Sequence, residues 1–265
     1  MNMNKRTKSN KLKNMGKALK MELREHKSSF MVYFILRFLV ILVMIRQIFN
    51  QNYESVFLCV LTLVLLIVPS FLQITLKIEL PTMLEIFVLI FIFAAEILGE
   101  IHEFYIIFPF WDTLLHTLNG FLAAAIGFSC VDLLNRNDKL LFKLSPLFMA
   151  IVAFCFSMTI GVVWEFFEFG MDMFCNFDMQ KDTIVHSISS VMLDPEGRNV
   201  PVHIKDITGV AVKGKDLGIS GYLDIGLIDT MKDLFVNFIG AFVFSVLGFF
   251  YVKNHRKDSI VRRLI

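Results

Sequence analysis

The chain has 265 residues, 56% of them hydrophobic, and it includes 29 Phe and 14 Met. Its mean hydropathy of +0.65 is higher than the single core of a water-soluble domain requires, which excludes an ordinary soluble enzyme and indicates a membrane protein with several spans. The formal net charge of +2 is explained by basic loops rather than by a nucleic-acid-binding surface, so no nucleic-acid partner is expected.

Six apolar stretches are long enough to cross a bilayer as helices. A hydrocarbon core of about 30 Å needs roughly 20 apolar residues per helix, and helices satisfy their own backbone hydrogen bonds in lipid. The predicted spans are residues 30–48, 54–74, 83–102, 113–132, 145–169 and 231–252. The predicted fold class is therefore an all-α polytopic membrane protein with about six transmembrane helices and a small β-rich exported insert between the last two.

Basic residues determine the predicted orientation. Lys and Arg are concentrated at the start of the chain, in the loop 135–143 and at the end of the chain, and such segments stay in the cytoplasm. We therefore expect a multi-pass protein of the bacterial inner membrane with both termini cytoplasmic. The predicted domains are a basic cytoplasmic arm at 1–28, spans one to five within 29–171, the exported insert at 172–230, span six at 231–252 and a basic cytoplasmic tail at 253–265.

The exported insert has the sequence pattern of a β-hairpin. β-Branched runs lie on either side of residues 194–197, whose sequence Asp-Pro-Glu-Gly is a turn signal. His186 and His203 fall on the predicted strands. A solvated strand face and metal ligation are the two explanations for these histidines.

Polar residues form a stripe on each of the last four predicted spans. Residues three, four or seven apart share a helix face. The stripes are Glu96, Glu100 and Glu103 on span three; Asp112, His116 and Asn119 on span four; Glu165, Glu168 and Asp172 on span five; and Asp229, Asp233 and Asn237 on span six. Each stripe lies at the end of its span that is predicted to face outside, so four helices are expected to bring acids to one face of the membrane.

Helix capping accounts for some of these acids without any ligand. Asp112 and Asp229 precede Thr at helix N-termini, where a carboxylate caps free N–H groups, and Glu103 fits a solvated interfacial residue. Glu165 and Glu168 lie near the C-terminal end of their helix, where the helix dipole repels anions by about 0.3–1 kcal/mol each. Some of the acids are therefore expected to be protonated or to share a cation.

The combination of carboxylates, an imidazole and an amide suits a divalent metal such as Zn, Mn or Mg. A purely structural, hydrogen-bonded cluster is the alternative. The catalytic candidates are Asp233, as a base or a hydrogen-bond partner of a ligand, and Asn237, as an orienting residue. The predicted metal ligands are His116, Glu165, Glu168 and Asp229, with Asp112 and Asp172 as further candidates.

The segments WDTLLHTLNGF, WEFFEF and IDTMKDLFVNFIGA resemble the YjdF-like family of multi-span bacterial inner-membrane proteins. The family pattern is DxxxHxxxG, ExxE and DTxxD in that order, and the resemblance covers roughly residues 95–250. The matching positions are Asp112, His116 and Gly120; Glu165 and Glu168; and Asp229, Thr230 and Asp233. The resemblance implies a shared site but no named activity.

Three functions fit these patterns. A one-sided site at the lipid–water boundary suits a metal-dependent hydrolase or transferase that acts on an envelope lipid or lipid-linked substrate, with a Glu as base. A divalent-cation transporter or sensor could use the same cluster, although the inner halves of the spans carry apolar segments such as FLAAAIGFSCV where transporters place polar groups. A structural membrane assembly factor is the third.

Overall fold

The computed structural model describes residues 27–76, 80–135, 143–254 and 264, and most of this part of the chain is helical. The predicted basic arm, most of the loop 135–143 and most of the predicted basic tail lie outside the described residues. The helices are α1 (Lys27–Phe49), α2 (Tyr53–Leu65), α3 (Val68–Leu76), α4 (Thr82–Phe93), a π-helix (Ala94–Ile101), α5 (Phe104–Ile107), α6 (Trp111–Asn135), α7 (Pro146–Cys175) and α8 (Leu227–Asn254).

Among the described residues, six helical segments are long and apolar enough to cross a membrane, which confirms the predicted spans. By length and composition they are Ser28–Phe49, Tyr53–Thr75, Thr82–Ile101, Trp111–Asn135, Pro146–Cys175 and Leu227–Asn254. Large apolar side chains lie exposed along them, among them Phe34, Phe71 and Phe166. In a bilayer, such side chains contact acyl chains instead of water.

Two of the spans depart from a regular α-helix. The second breaks before Val68, because Pro69 has no N–H to donate to the preceding turn. The third changes at Ala94 from an α-helix into a π-helix that ends at Ile101. Apolar content alone does not predict this change, since both helix types bury apolar side chains.

The described residues up to Met158, together with those from Asn237 onward, form the first of two compact units. Its smaller apolar core packs α1, α2 and α4 together. Val40, Cys59 and Leu89 lie in this core and are at most 1% exposed. Aliphatic and thiol side chains of this kind pack closely because they carry no group that needs water.

The larger core of this unit packs α6 against α8. Gly120 lies against the backbone of Asn237, and further along both helices the rings of Phe128 and Phe244 are 6.2 Å apart. The residue numbers of these contacts increase together along the two helices, so α6 and α8 are parallel. A Cβ atom added at Gly120 would come closer than 3.0 Å to the carbonyl of Asn237. Small residues at such contacts let transmembrane helices approach closely.

The second unit comprises residues from Thr159 to Val236, with the end of α7, the start of α8 and the segment between them. α7 continues to Cys175 and α8 begins at Leu227, so the non-helical segment is shorter than the predicted insert. The described chain forms three two-stranded antiparallel ladders here: β1 (Ile184–Val185) with β6 (Tyr222–Leu223), β2 (Ile188–Ser190) with β3 (Val202–Ile204), and β4 (Ala211–Val212) with β5 (Lys215–Asp216). They confirm a small strand-containing region between the last two spans.

β2 and β3 form a hairpin around the predicted turn. Ile188 pairs with Ile204, and the turn closes through the Gly197 N–H, which donates to the Asp194 carbonyl at 3.2 Å. Gly197 has a φ of +62°, a left-handed conformation that glycine adopts without strain. The Asp-Pro-Glu-Gly signal therefore corresponds to an observed turn.

Asp224 connects the ladder of β1 and β6 to the start of α8. Its Oδ1 accepts the Thr183 N–H at 2.7 Å, and its Oδ2 accepts the Ile228 N–H at 2.8 Å. Burial alone would raise the pKa of Asp224, but these backbone donors outweigh burial and lower its pKa. Because the folded pKa lies below the unfolded value, the stabilisation is present above about pH 4 and is lost as the pH falls through the folded pKa.

Asp224→Ala should loosen the segment between α7 and α8, because it removes the acceptor of two N–H groups. A lost cap of this kind costs about 0.5–2 kcal/mol. Limited proteolysis of the purified protein is the measurement, and Asp224→Asn, which keeps one carbonyl acceptor, should be cleaved at an intermediate rate. Asp216→Ala is the matched control, since Asp216 accepts a local turn hydrogen bond from Gly218. Equal cleavage of all four proteins would contradict this role for Asp224.

Candidate functional site

Helix α6 brings two of the predicted ligands together. Asp112 and His116 are one turn apart, and His116 Nε2 lies 3.5 Å from Asp112 Oδ1. The imidazole is largely buried, with 9% of His116 exposed. Residues four apart are neighbours on any helix, so the DxxxH spacing alone is sufficient for this contact.

Asn119 continues the same face of α6 and fixes it against α8. Its Nδ2 donates to Asn237 Oδ1 at 3.0 Å, and Asn237 Nδ2 lies 3.6 Å from Met158 Sδ. Ser157 of α7 donates its hydroxyl to the Gly120 carbonyl at 2.7 Å. The bond between Asn119 and Asn237 holds α6 and α8 in register, and the other two contacts join these helices to α7. The amide of Asn237, which the sequence predicts to be catalytic, is thus engaged in structural contacts.

Asp233 lies one turn before Asn237 on α8, as His116 lies about one turn before Asn119 on α6. Asp112, His116 and Asp233 each offer a ligand atom, and these atoms all lie within 4.8 Å of one another. We call these three residues the Asp–His–Asp cluster. Since zinc ligands lie about 2.0–2.2 Å from the metal, small side-chain movements would let the three share one ion.

Glu165 and Glu168, the predicted ligands on α7, are both buried. The Trp164 indole N–H donates to Glu168 Oε1 at 2.7 Å, and the Trp164 ring packs against Phe167. The indole therefore orients one of the two carboxylates. The role of Trp164 was not predicted from the sequence, although its position four residues before Glu168 places it on the same helix face.

Asp172 and Asp229, the two remaining predicted ligands, accept hydrogen bonds from backbone groups. Asp172 accepts the N–H groups of Met179 at 2.6 Å and of Gln180 at 2.9 Å, one with each carboxylate oxygen. Asp229 Oδ2 accepts the Lys181 N–H at 2.7 Å. Both carboxylates thus hold the chain that follows α7, which is a structural role. Metal ligation by either stays a prediction.

The acidic stripe predicted on the third span is only partly formed. Glu96 and Glu100 lie in the π-helix, and Glu96 is 3% exposed. Glu103 lies beyond the end of this helix at Ile101, with an exposed side chain and a left-handed backbone at φ 59°. The prediction that all three acids share one helix face is therefore wrong for Glu103.

The match to a protein family covers all but the first three residues of the six spans and includes the Asp–His–Asp cluster. Residues 31–254 match the family described as "Predicted membrane protein (DUF2238)". The chain belongs to this family. No curated protein and no solved structure matches the chain. Membership in DUF2238 is consistent with the membrane character of the helices but does not supply an activity.

The two histidines of the strand region in this DUF2238 protein make hydrogen bonds within that region. His203 Nδ1 lies 2.7 Å from Ser189 Oγ, and His186 Nδ1 lies 3.0 Å from the Ile207 carbonyl oxygen. His186 lies between β1 and β2 and not on a strand, contrary to the prediction. Both residues are exposed. These contacts favour a solvated surface over metal ligation.

Proposed function

We propose that this DUF2238 protein is a metal-dependent membrane enzyme that hydrolyses or transfers a group of an envelope lipid or lipid-linked substrate. The observation that carries the proposal is the Asp–His–Asp cluster, whose ligand atoms lie within 4.8 Å of one another. One imidazole with two carboxylates suits Zn or Mn better than Mg, which prefers oxygen ligands. When bound, the metal would polarise the scissile bond or activate a water molecule.

The distance within the cluster supports shared ligation. His116 Nε2 and Asp112 Oδ1 are 3.5 Å apart, which is close to the separation of about 3.4 Å between two ligands of a tetrahedral zinc with bonds of about 2.1 Å. In the proposed reaction Asp112, His116 and Asp233 hold the metal. Glu168, oriented by the indole of Trp164, is the proposed general base. The sequence had suggested this role for a Glu or for Asp233.

Exposed apolar side chains directly before α6 support a lipid substrate. Ile106 and Phe110 are 77% and 64% exposed, and the rings of Phe108 and Trp111 lie 6.3 Å apart beside them. Aromatic side chains are enriched where proteins meet the membrane–water interface. Asp112 follows Trp111 directly, so the cluster would lie near the level of lipid headgroups.

A cavity between the first half of α7 and the second half of α8 favours a one-sided site over a transport route. It has a volume of about 360 Å³ and is lined by apolar side chains such as Phe154, Phe242 and Phe249, together with Ser245. Transporters instead place polar groups along such a route near the midplane of the bilayer. The lining of this cavity offers a cation no ionisable side chain, which favours an enzyme over a cation carrier.

Elemental analysis of the full-length protein, after incubation with Zn or Mn and desalting, tests this proposal. We expect one equivalent of metal per chain in the wild type and a loss of most of it in His116→Gln and Asp233→Asn. His203→Gln is the matched control, because His203 lies on β3 and pairs with Ser189. A wild-type protein that retains no more metal than His116→Gln would overturn the proposal.

We further infer that the protein is YjdF-like and lies in the bacterial inner membrane with both termini in the cytoplasm. The order of the motifs DxxxHxxxG, ExxE and DTxxD supports the first inference. The basic residues at both ends of the chain support the orientation. The segment between α7 and α8 would then face the outside of the membrane.

A cysteine at position 200 should react with a membrane-impermeant maleimide added to intact cells. Val200 is 49% exposed and lies between α7 and α8, so the thiol should be accessible if that segment is exported. The measurement uses Val200→Cys in a Cys175→Ser background, because Cys175 is exposed and would also react. Labelling that requires cell lysis would reverse the predicted orientation.

A further inference from the structure

Glu96 is a buried carboxylate of the third span that is not one of the three residues of the Asp–His–Asp cluster. It is 3% exposed, and its Oε2 atom is buried without a hydrogen-bond partner among the described residues. A carboxylate that leaves water needs hydrogen bonds or an opposite charge in compensation. One of its two oxygens lacks the hydrogen bond.

α1 shares an apolar core with Ile97 of the π-helix and carries Arg37 and Arg46, but neither arginine forms an ion pair with Glu96 among the described residues. Four further helices of the same unit pack against the π-helix and carry no lysine or arginine. They are α2, α4, α5 and α6. Their titratable groups are Tyr53, Glu54, Cys59, Glu85, Tyr105, Asp112, His116, Cys130 and Asp132. Glu100, one turn from Glu96 in the π-helix, adds repulsion between like charges. An ionised Glu96 would therefore be buried beside Glu100 with no cation bound to it among the described residues.

The backbone around Glu96 is also unusual. The π-helix runs for eight residues from Ala94 to Ile101, and π-helices are rare and occur frequently at functional sites. The π-helix packs tightly against α5, since a Cβ atom added at Gly99 would come closer than 3.0 Å to the ring of Tyr105. This uncommon backbone holds Glu96 in the buried position.

We propose that Glu96 is a proton-binding site, occupied at neutral pH, inside the third span. A bound proton removes the charge without any cation and turns the carboxylate into a group that can also donate a hydrogen bond. The ligand is a proton, and the site does not depend on metal at the Asp–His–Asp cluster.

Carbodiimide labelling is the first test. N,N′-Dicyclohexylcarbodiimide is an apolar reagent for protonated carboxylic acids: the acid oxygen bonds to the carbodiimide carbon, the acid proton moves to a nitrogen, and migration of the acyl group to nitrogen gives a stable N-acylurea. In full-length protein at neutral pH, peptide mass spectrometry should find this adduct on Glu96, with labelling several-fold lower in alkaline buffer. Glu103 is the internal control and should stay unlabelled, because it is exposed to water.

Infrared difference spectroscopy removes the dependence on reagent access. The spectrum of wild type minus Glu96→Gln at neutral pH should contain the carbonyl stretch of a protonated carboxylic acid, and the spectrum of wild type minus Glu103→Gln should not. Absence of that band would mean that Glu96 is ionised, and the proposal would be wrong whatever the labelling shows. Metal content is expected to be unchanged in Glu96→Gln, so failure of this proposal is distinguishable from failure of the proposed metal site.

Discussion

Replacing Gly120 with alanine should force α6 and α8 apart and destabilise the protein by about 1–3 kcal/mol, the usual cost of overpacking. The added Cβ would meet the backbone carbonyl of Asn237 closer than 3.0 Å, and a backbone group cannot rotate away as a side chain can. Separation of the helices should also weaken the hydrogen bond between Asn119 and Asn237. Gly240→Ala should act in the same way, since a Cβ there would meet the Thr117 carbonyl.

Gly170→Ala is the matched control for these substitutions. Gly170 also lies inside a long helix, α7, but nothing lies within 4 Å of the Cβ that alanine would add. Because glycine in a helix interior costs about 0.5–1 kcal/mol relative to alanine, this variant should be slightly more stable than the wild type. Thermal melting in detergent measures both effects. A Gly120→Ala protein that melts as high as Gly170→Ala would show that α6 and α8 are not in close contact.

Chelation should lower the melting temperature of the wild-type protein. A metal that binds the folded but not the unfolded chain stabilises it by about 2.7 kcal/mol at 100 times its dissociation constant, and a chelator removes that contribution. His116→Gln and Asp233→Asn should melt at the same temperature with and without chelator, because each removes a ligand of the Asp–His–Asp cluster. The control His203→Gln should keep the wild-type response.

Glu165→Gln and Glu168→Gln decide whether the buried acids of α7 share the cation. Glutamine keeps the volume and an acceptor for the Trp164 indole, so the main change is the loss of charge. If the acids help to bind the metal, both variants should lose the chelator response. If they serve structure alone, relief of repulsion at the helix C-terminus should stabilise both variants. If chelator does not change the melting temperature of the wild type, and both variants melt at a higher temperature than the wild type, the metal hypothesis is wrong.

The six spans were predictable because bilayer thickness sets the length of an apolar run. The helix ends were less predictable, since an end is determined by capping groups and by the path of the following chain. α7 continues to Cys175, and Asp172 then accepts the N–H groups of Met179 and Gln180. A stripe of acids three and four residues apart contains no information about that loop.

The candidate site was predictable to the extent that its contacts are local. The pairing of Asp112 with His116 follows from helix geometry alone. The hydrogen bond between Asn119 and Asn237 depends instead on the register of two helices that are far apart in sequence. The π-helix around Glu96 was not predicted, because its residues have the same apolar content as an α-helical span.

The parallel packing of α6 and α8 sets an order for biosynthesis. Asn119 and Asn237 are 118 residues apart, so a ribosome that adds about 5–20 residues per second needs about 6–24 s to make the second after the first. Throughout that interval α8 does not yet cover the Gly120 face of α6. The amide of Asn119 is then either shielded by the insertion machinery or exposed to lipid. α8, the last of the described helices, is therefore made well after the face of α6 that it covers, and a chain stopped before Leu227 would expose this polar face to the membrane.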